Sequence, residues 1–306
     1  MNHFQIITDF ACNLPENLAN QYEIKIIPTH LHIEGEESVL SDQIDISDFY
    51  LKLREKKMIR TAAINMQTFK NYFTEIVKNG KDILYIGMSS GLSATFTAAK
   101  LAAMELSENY PERKIYCVDS RSGCGGIGLV VYLAALKREG ADLETTYAYI
   151  SDICNNLQSW FSVDDLFFLK RGGRLSSSTA IVGSLFMIKP ILTASNEGKL
   201  LAWGKARGKK GVIEELLKRV DELAFDPENS IFFISHSDCL EDAVQLDMKL
   251  RTKWDVKDTI ITDISPAFGA HCGPGALAIF FVGKETKEPD QIEESDQIEE
   301  SETSEL

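Results

Sequence analysis

The chain has 306 residues, of which 25% are charged and 44% hydrophobic, with Gly 20 and Pro 8. This composition excludes collagen-like and low-complexity chains and leaves enough residues for one large or two modest hydrophobic cores. The formal net charge is −14, but much of it comes from residues 285–306, and the mildly acidic remainder argues against a nucleic-acid-binding protein with a basic face.

The first half of the chain alternates strand and helix patterns. Short β-branched and apolar runs predict four strands: Phe4–Ile7, Ile24–Ile27, Ile83–Met88 and Ile115–Val118. Helical spacing of apolar residues predicts helices after Ser47, around Phe69–Val77, and over Thr95–Leu106 and Leu129–Lys137. Because this order is typical of βαβ units, we expect residues 1–157 to form an α/β domain whose mainly parallel sheet is covered by helices.

The pattern changes after Leu157. A turn at Asn196–Gly198 joins two runs that predict a hairpin, and two helix patterns and three further strand patterns follow. The hairpin runs are Met187–Ala194 and Lys199–Gly204, the helices Lys209–Leu223 and Glu241–Lys253, and the strands Ile231–Ser235, Thr259–Ile264 and Ala276–Val282. We expect residues 158–284 to form a second, α+β domain with a mixed or antiparallel sheet.

The end of the chain is acidic and repetitive. Residues 290–295 and 296–301 repeat the sequence DQIEES, and residues 285–306 carry ten acidic residues and one lysine. So few apolar side chains cannot offset the loss of chain entropy by burial. We therefore predict that residues 285–306 are an acidic disordered tail.

Targeting and redox signals favour a cytoplasmic protein. No apolar run reaches the roughly 20 residues that a membrane-spanning helix needs. The N-terminus shows no charged segment followed by an apolar stretch, which argues against a signal peptide. Six cysteines occur without C-x-x-C spacing, which favours reduced thiols and argues against a zinc site.

A glycine-rich segment, Gly123–Gly128, fits the pattern G-x-G-x-x-G after a predicted strand. A dinucleotide-binding turn also needs an acidic residue at the end of the next strand, whereas here Ala141–Glu144 leads into another helix pattern. We therefore interpret the glycines as a turn that lets a helix approach a sheet or a ligand closely. The chain also lacks the P-loop pattern.

Hydroxyl side chains cluster in Ser89–Thr95, directly after a predicted parallel strand. The carboxyl end of such a strand, beside a helix N-terminus, favours an anion because free amides and the helix dipole point there. Capping of the helix by Ser90 or Ser93 is the alternative interpretation. Thr61 precedes another predicted helix and by itself is interpreted as a loop or cap residue.

Two further segments combine glycine with ionisable side chains. His271 lies within Gly269–Gly275, which predicts a tight loop that presents the imidazole to a ligand. Lys170–Arg174 places two arginines around a pair of glycines, and these arginines either are solvated or contact a partner or phosphate group.

Taken in this order, these segments resemble the DegV family, and within it the fatty-acid-binding subunits of bacterial fatty acid kinase. The resemblance covers residues 4–284 as one unit. The matching pieces are Thr8-Asp9, Thr61, Ser89–Ser93, Asp119-Ser120, Lys170–Arg174, Lys189–Ile191, Lys205–Gly208 and His271–Gly275.

The resemblance implies a carrier that holds one long-chain fatty acid, such as palmitate, between its two domains. The carboxylate would be bound by Thr61, Ser93 and His271, with Ser90, Gly91 and Asp9 in support. Arg174 and Arg207 would contact a separate kinase subunit that phosphorylates the bound fatty acid. The chain itself would then be no enzyme, would need no cofactor or metal, and would contact membranes only transiently.

Two other functions remain open. A serine hydrolase would use Ser93 as nucleophile and His271 as base, with Asp9 or Asp119 orienting the imidazole, although the segment lacks the second glycine of a nucleophile elbow. A nucleotide-dependent, kinase-like enzyme is the other alternative, because the family resemblance extends to fold features of dihydroxyacetone kinase domains.

Overall fold

The computed structural model describes residues 4–175 and 187–284, and within them 13 strands form three sheets, packed with ten α-helices. The strands are β1 Phe4–Asp9, β2 Lys25–Ile27, β3 His30–Ile33, β4 Val39–Leu40, β5 Ile59–Thr61, β6 Asp82–Gly87, β7 Ile115–Asp119, β8 Leu157–Ser162, β9 Ile188–Ala194, β10 Leu200–Arg207, β11 Ile231–His236, β12 Asp258–Asp263 and β13 Leu277–Val282. The helices are α1 Glu16–Gln21, α2 Ile46–Arg54, α3 Met66–Lys78, α4 Thr95–Asn109, α5 Gly125–Arg138, α6 Leu143–Asn155, α7 Leu166–Arg171, α8 Gly208–Leu223, α9 Leu240–Lys253 and α10 Pro266–Cys272.

The first sheet has the strand order β2-β1-β6-β7, and every neighbouring pair is parallel. Successive side chains of β1 point to opposite faces, so Ile6 joins the core formed with α5 and α6, while Ile7 joins the core formed with α3 and α4. Helices thus cover both faces. This arrangement confirms the predicted α/β class with a mainly parallel sheet.

The second sheet has the order β10-β9-β8-β13-β11-β12. Only β11 and β12 are parallel, and the other neighbouring pairs are antiparallel, as the predicted mixed sheet requires. Helices α8 and α9 cover one face, where Trp160 and Phe232 are fully buried. The opposite face packs against α5 through Phe233 and Phe280, so α5 lies between the two sheets.

Glycines in α5 make this close packing feasible. A Cβ at Gly125 would lie 2.5 Å from Ser235 Oγ, and one at Gly128 would lie 2.6 Å from the carbonyl oxygen of Cys12. Neither position has room for a side chain. The interpretation of the glycine-rich segment as a close helix–sheet contact is therefore confirmed, although the helix begins at Gly125 and not at Leu129.

Several local predictions were wrong. Helix α2 is capped by the Asp45 carboxylate, which accepts the Asp48 N–H, and not by Ser47. Thr61 lies on β5, in a third sheet of order β4-β3-β5 that the sequence did not predict, and not in a loop or cap. His271 lies in the last turn of α10 and not in a tight loop. The prediction failed there because Pro266 begins the helix and Gly273, at φ 71, ends it, so the helix extends past His271 and the loop begins only at Gly273.

The two sheets lie within residues 4–119 and 157–282, yet one continuous core joins them through α5. The division into domains 1–157 and 158–284 stays a prediction, and the predicted disordered tail lies outside the described residues. Among the residues that the structure describes, no helix combines the length and apolar character needed to cross a membrane.

Candidate ligand-binding site

A largely apolar cavity lies where the carboxyl ends of β1 and β6 face β8 and β13 of the second sheet. The space free of protein atoms measures about 1110 Å³, with the mouth included. Large apolar side chains dominate its wall: Phe10, Ile64, Met88, Leu92, Phe161, Leu169, Leu200, Ile264, Phe268 and Phe280. A cavity of this kind, with a few polar groups, is typical of a small-molecule site.

Thr61 and His271 meet on the wall of this cavity. Thr61 ends β5, whose register places it opposite Leu31, and His271 is carried by α10. The Thr61 Oγ1 atom lies 2.9 Å from His271 Nε2, and both side chains are half-buried. Two of the three predicted carboxylate-binding residues are thus in direct contact.

Burial keeps the His271 imidazole neutral. Loss of solvent, reinforced by the positive charges of Arg174 and Arg171, lowers the pKa of His271 to about 4. Its Nδ1 atom is buried and has no hydrogen-bond partner among the described residues. The α-carbon of Gly172 packs so closely that a Cβ there would clash with Nδ1. Near neutral pH the ring is therefore an uncharged group of the cavity wall, with Nε2 bonded to Thr61 and Nδ1 packed against Gly172.

Ser93, the third predicted carboxylate ligand, lines the same cavity. Its Oγ atom lies 2.9 Å from Thr95 Oγ1 and accepts the Thr95 N–H at 3.2 Å. Helix α4 begins at Thr95, and the cap position is held by Ala94 without a side-chain hydrogen bond. The alternative in which Ser90 or Ser93 occupies the cap position is therefore wrong.

The predicted supporting residues divide into two groups. Ser90 and Gly91 are exposed and absent from the cavity wall, and their N–H groups point to the Asp119 carboxylate at 3.3 Å and to Ser89 Oγ at 3.1 Å. The supporting role expected of them is therefore not matched by their positions. Asp9, in contrast, is buried in the wall of the cavity.

The Asp9 carboxylate ties the ends of two strands together. Its Oδ2 atom accepts the Tyr85 hydroxyl at 2.9 Å and the Met88 N–H at 3.0 Å, while Oδ1 accepts the Ala11 N–H at 3.0 Å. Burial raises the pKa of Asp9, and the three donated hydrogen bonds oppose that rise. The Asp9 carboxylate thus accepts its hydrogen bonds from groups of the protein and has a structural role in the cavity wall.

The two arginines predicted to contact a partner lie in different surroundings. Arg174 lines the cavity, and its Nε donates to the Leu92 carbonyl oxygen at 3.2 Å. Arg207 is exposed at the end of β10, directly before α8. Arg174 therefore places a positive charge at the cavity wall, whereas Arg207 is exposed and lies outside that wall.

Sequence reasoning missed other polar residues of the wall. Ser122 and Ser159 form a hydroxyl pair. Isolated serines carry no signal of this kind in a sequence. Thr95, which belongs to the predicted Ser89–Thr95 cluster, is buried, and its Oγ1 accepts the Ile64 N–H at 3.2 Å. In the described part of the chain, no cluster of His, Cys, Asp and Glu could hold a metal ion.

The site therefore combines an apolar space with one polar region that contains two hydroxyls, a neutral imidazole and an arginine. Hydroxyl and imidazole N–H groups donate to an anion, and a guanidinium adds a charge-assisted hydrogen bond. Such an arrangement suits a molecule with a long apolar part and one acidic group.

Comparison with known proteins agrees on a single family. The model of the family described as "Uncharacterised protein, DegV family" matches residues 3–284. A DegV domain-containing protein of Clostridium perfringens is 39% identical over 292 residues, which cover 94% of this chain and 100% of the relative.

Solved structures give the same result. A DegV family protein from Thermus thermophilus, described for its fatty acid binding, has a TM-score of 0.83 and 27% identity and covers 92% of this chain and 99% of its own. DegV from Bacillus subtilis, described as a fatty acid binding protein, has a TM-score of 0.81 and 26% identity, and the match covers 93% of this chain and 100% of the Bacillus subtilis chain. With its fold and nearly its whole length matched in this way, the chain belongs to the DegV family.

Proposed function

We propose that this protein binds one long-chain fatty acid, with the carboxylate at Thr61, Ser93 and His271 and the acyl chain in the apolar cavity. The contact between Thr61 and His271 at the wall of that cavity carries the proposal. The descriptions of the Thermus thermophilus and Bacillus subtilis relatives as fatty-acid-binding support it.

The acyl chain supplies most of the binding free energy against water. Burial of 14 methylenes contributes roughly 11 kcal/mol at about 0.8 kcal/mol each, whereas one hydrogen bond contributes a net ~1 kcal/mol. A membrane solvates the chain equally well, so the polar residues must favour the protein over the membrane. A buried carboxylate is costly unless it is hydrogen-bonded, and these residues supply the donors.

The positive charge of Arg174 affects the protonation of His271. Arg174 lines the cavity and lowers the His271 pKa through its charge. A bound carboxylate would offset that positive charge and favour protonation of the imidazole. The carboxylate would then accept charge-assisted hydrogen bonds from the protonated imidazole and the guanidinium.

We further propose that the protein is a carrier and not an enzyme, and that it presents the carboxylate to a separate kinase subunit. Arg207 is exposed, so its side chain is accessible to that partner. An oxygen of the fatty acid carboxylate would attack the γ-phosphorus of ATP bound to the kinase subunit, giving acyl phosphate and releasing ADP, with no cofactor held by this chain.

The geometry gives the hydrolase alternative no support. The Ser93 hydroxyl is bonded to Thr95 Oγ1, and His271 Nε2 is bonded to Thr61, so the nucleophile and base do not meet. His271 Nδ1 has no carboxylate partner among the described residues. A catalytic triad requires both contacts.

The test is fatty acid binding by the full chain after removal of bound lipid. Titration with palmitate should give saturable binding of one molecule per chain, and Ser93→Ala and His271→Gln should weaken it. Arg207→Ala is the matched control because the exposed side chain lies outside the cavity wall. Absence of binding by the wild type, or equal losses in all three variants, would refute the proposal.

The partner role is tested separately. The loaded protein is mixed with a bacterial fatty acid kinase subunit and ATP, and acyl phosphate is measured by its reaction with hydroxylamine. Arg207→Ala should form acyl phosphate more slowly while it retains its fatty acid. Wild-type rates in that variant would show that Arg207 does not contact the kinase subunit.

A further inference from the structure

Two serines interrupt the apolar wall of the cavity. Ser122 is 2% exposed and Ser159 is 6% exposed, and their Oγ atoms lie 2.8 Å apart. Both line the cavity. Buried hydroxyls in an apolar wall are unfavourable unless hydrogen-bonded, so this serine pair is stable only because its members bind each other.

Strand β13 extends from the region after α10 to the serine pair. Ala276, Ala278 and Phe280 line the cavity as alternate residues. Ala276 lies shortly after α10, which carries His271, and Phe280 is paired with Ser159 across β8 and β13. The four residue steps from Ala276 to Phe280 span about 13 Å.

That length can be expressed in carbons of an acyl chain. A C–C bond of about 1.5 Å advances an extended chain by about 1.3 Å, so 13 Å corresponds to roughly ten carbons. An acyl chain that starts beside His271 and follows this row would therefore pass the serine pair at about its tenth carbon or beyond.

The serine pair can accept a further polar group. Two hydroxyls hold two hydrogens and four lone pairs, and their mutual bond uses one of each. The other contact of Ser122 Oγ, to the Gly123 carbonyl oxygen, is long at 3.4 Å. Ser159 also borders a second, small and polar pocket, whose wall includes Arg121 and Asn155. The serine pair is thus a further polar part of the wall, besides the one that contains Thr61 and His271.

We propose that the ligands of this protein include long-chain hydroxy fatty acids whose hydroxyl lies near the tenth to twelfth carbon and hydrogen-bonds to Ser122 and Ser159. The inference rests on the proposed function and names a substrate class for the same cavity. A hydroxyl both donates and accepts, so it can join the serine pair without leaving either serine unpartnered. An acyl chain without a hydroxyl gains no hydrogen bond at the serine pair.

The test compares dissociation constants for octadecanoic acid and its 2-, 10- and 12-hydroxy derivatives, with the full chain after removal of bound lipid. For the wild type we expect the 10- or 12-hydroxy acid to bind more tightly than the 2-hydroxy acid. In the double variant S122A/S159A, the affinity for that distal hydroxy acid relative to octadecanoic acid should fall by roughly two- to tenfold, the range of one hydrogen bond. The relative affinity for the 2-hydroxy acid should not change.

Ser235→Ala is the matched control. Ser235 is also a buried serine paired with a hydroxyl, Thr262 Oγ1 at 2.9 Å, but it lies outside the cavity wall. The inference is overturned if octadecanoic acid binds and the affinity for the distal hydroxy acid, relative to octadecanoic acid, is the same in the wild type and S122A/S159A. Failure of every fatty acid to bind the wild type would instead overturn the proposed function. If the double variant does not fold, the wild type alone decides. The inference is overturned if the wild type binds the 2-hydroxy acid more tightly than both the 10- and the 12-hydroxy acid.

Discussion

Thr61 Oγ1 lies 2.9 Å from Nε2 of His271, although 210 positions separate the two residues in the chain. Strand β5 and helix α10 pack together and hold the two side chains at one end of an apolar cavity. The contact depends on the third sheet, which carries Thr61, and on helix α10, whose last turn carries His271 and which ends at Cys272.

Loss of the Thr61 hydroxyl should weaken fatty acid binding. Thr61→Val keeps the shape of the side chain but removes a hydrogen bond to the carboxylate, so we expect the dissociation constant to rise about tenfold or more. Titration with palmitate measures the change. Thr252→Val, which removes an exposed hydroxyl bonded to the Met248 carbonyl oxygen, should leave affinity unchanged. Wild-type affinity in Thr61→Val would exclude Thr61 as a ligand of the carboxylate.

Acid should destabilise the ligand-free protein partly through His271. The folded protein holds the pKa of His271 at about 4, by burial and by the charges of Arg174 and Arg171, against an ordinary value of 6.5. Between these values the unfolded chain binds more protons, so the free energy of unfolding falls as the pH is lowered through that window.

Urea unfolding at about pH 7.5 and about pH 5 tests this expectation. The wild type should lose more stability between the two conditions than His271→Gln, which cannot titrate at that position. His32→Gln, at an exposed histidine of β3, serves as control and should behave like the wild type. Identical losses in the wild type and His271→Gln would mean that folding does not lower the His271 pKa.

Gly172→Ala should disturb the site through one steric contact. Gly172 has φ −73, which any residue adopts, but its Cβ would clash with His271 Nδ1. Displacement of the imidazole should reduce palmitate affinity about fivefold or more, the equivalent of ~1 kcal/mol of overpacking. Gly140→Ala is the matched control, because a Cβ there would meet nothing within 4 Å. Unchanged binding in Gly172→Ala would show that the imidazole position does not matter.

Asp9→Asn should lower stability more than affinity. The carboxylate accepts hydrogen bonds from Tyr85, Met88 and Ala11, and an amide keeps only one of the two oxygens. We expect the free energy of unfolding to fall by about 1–3 kcal/mol in urea titrations. Asp142→Asn, at an exposed helix cap where Asn is nearly equivalent, should change it by less than ~0.5 kcal/mol. A similar small change in Asp9→Asn would mean that this network contributes little.

Much of the architecture was predictable from local patterns. Continuous apolar runs such as Ile83–Met88 predicted buried parallel strands, and the hairpin around Asn196–Gly198 appears as β9 and β10. These features are local because strand and helix periodicities are set by neighbouring residues. The very short strands β3, β4 and β5 escaped prediction because two to four residues carry too little periodicity.

The candidate site also has some features that the sequence predicted and others that it did not. The residues themselves predicted the glycine-rich segment as a close helix contact, whereas the carboxylate-binding role of Thr61, Ser93 and His271 followed only from the family resemblance. Only the tertiary structure decided that Thr61 meets His271, that burial depresses the imidazole pKa, that Ser90 and Gly91 face solvent, and that Ser122 pairs with Ser159. The physical reason is that secondary structure follows from short-range periodicity, whereas burial, electrostatic environment and contact between distant residues exist only once the sheets have packed around α5.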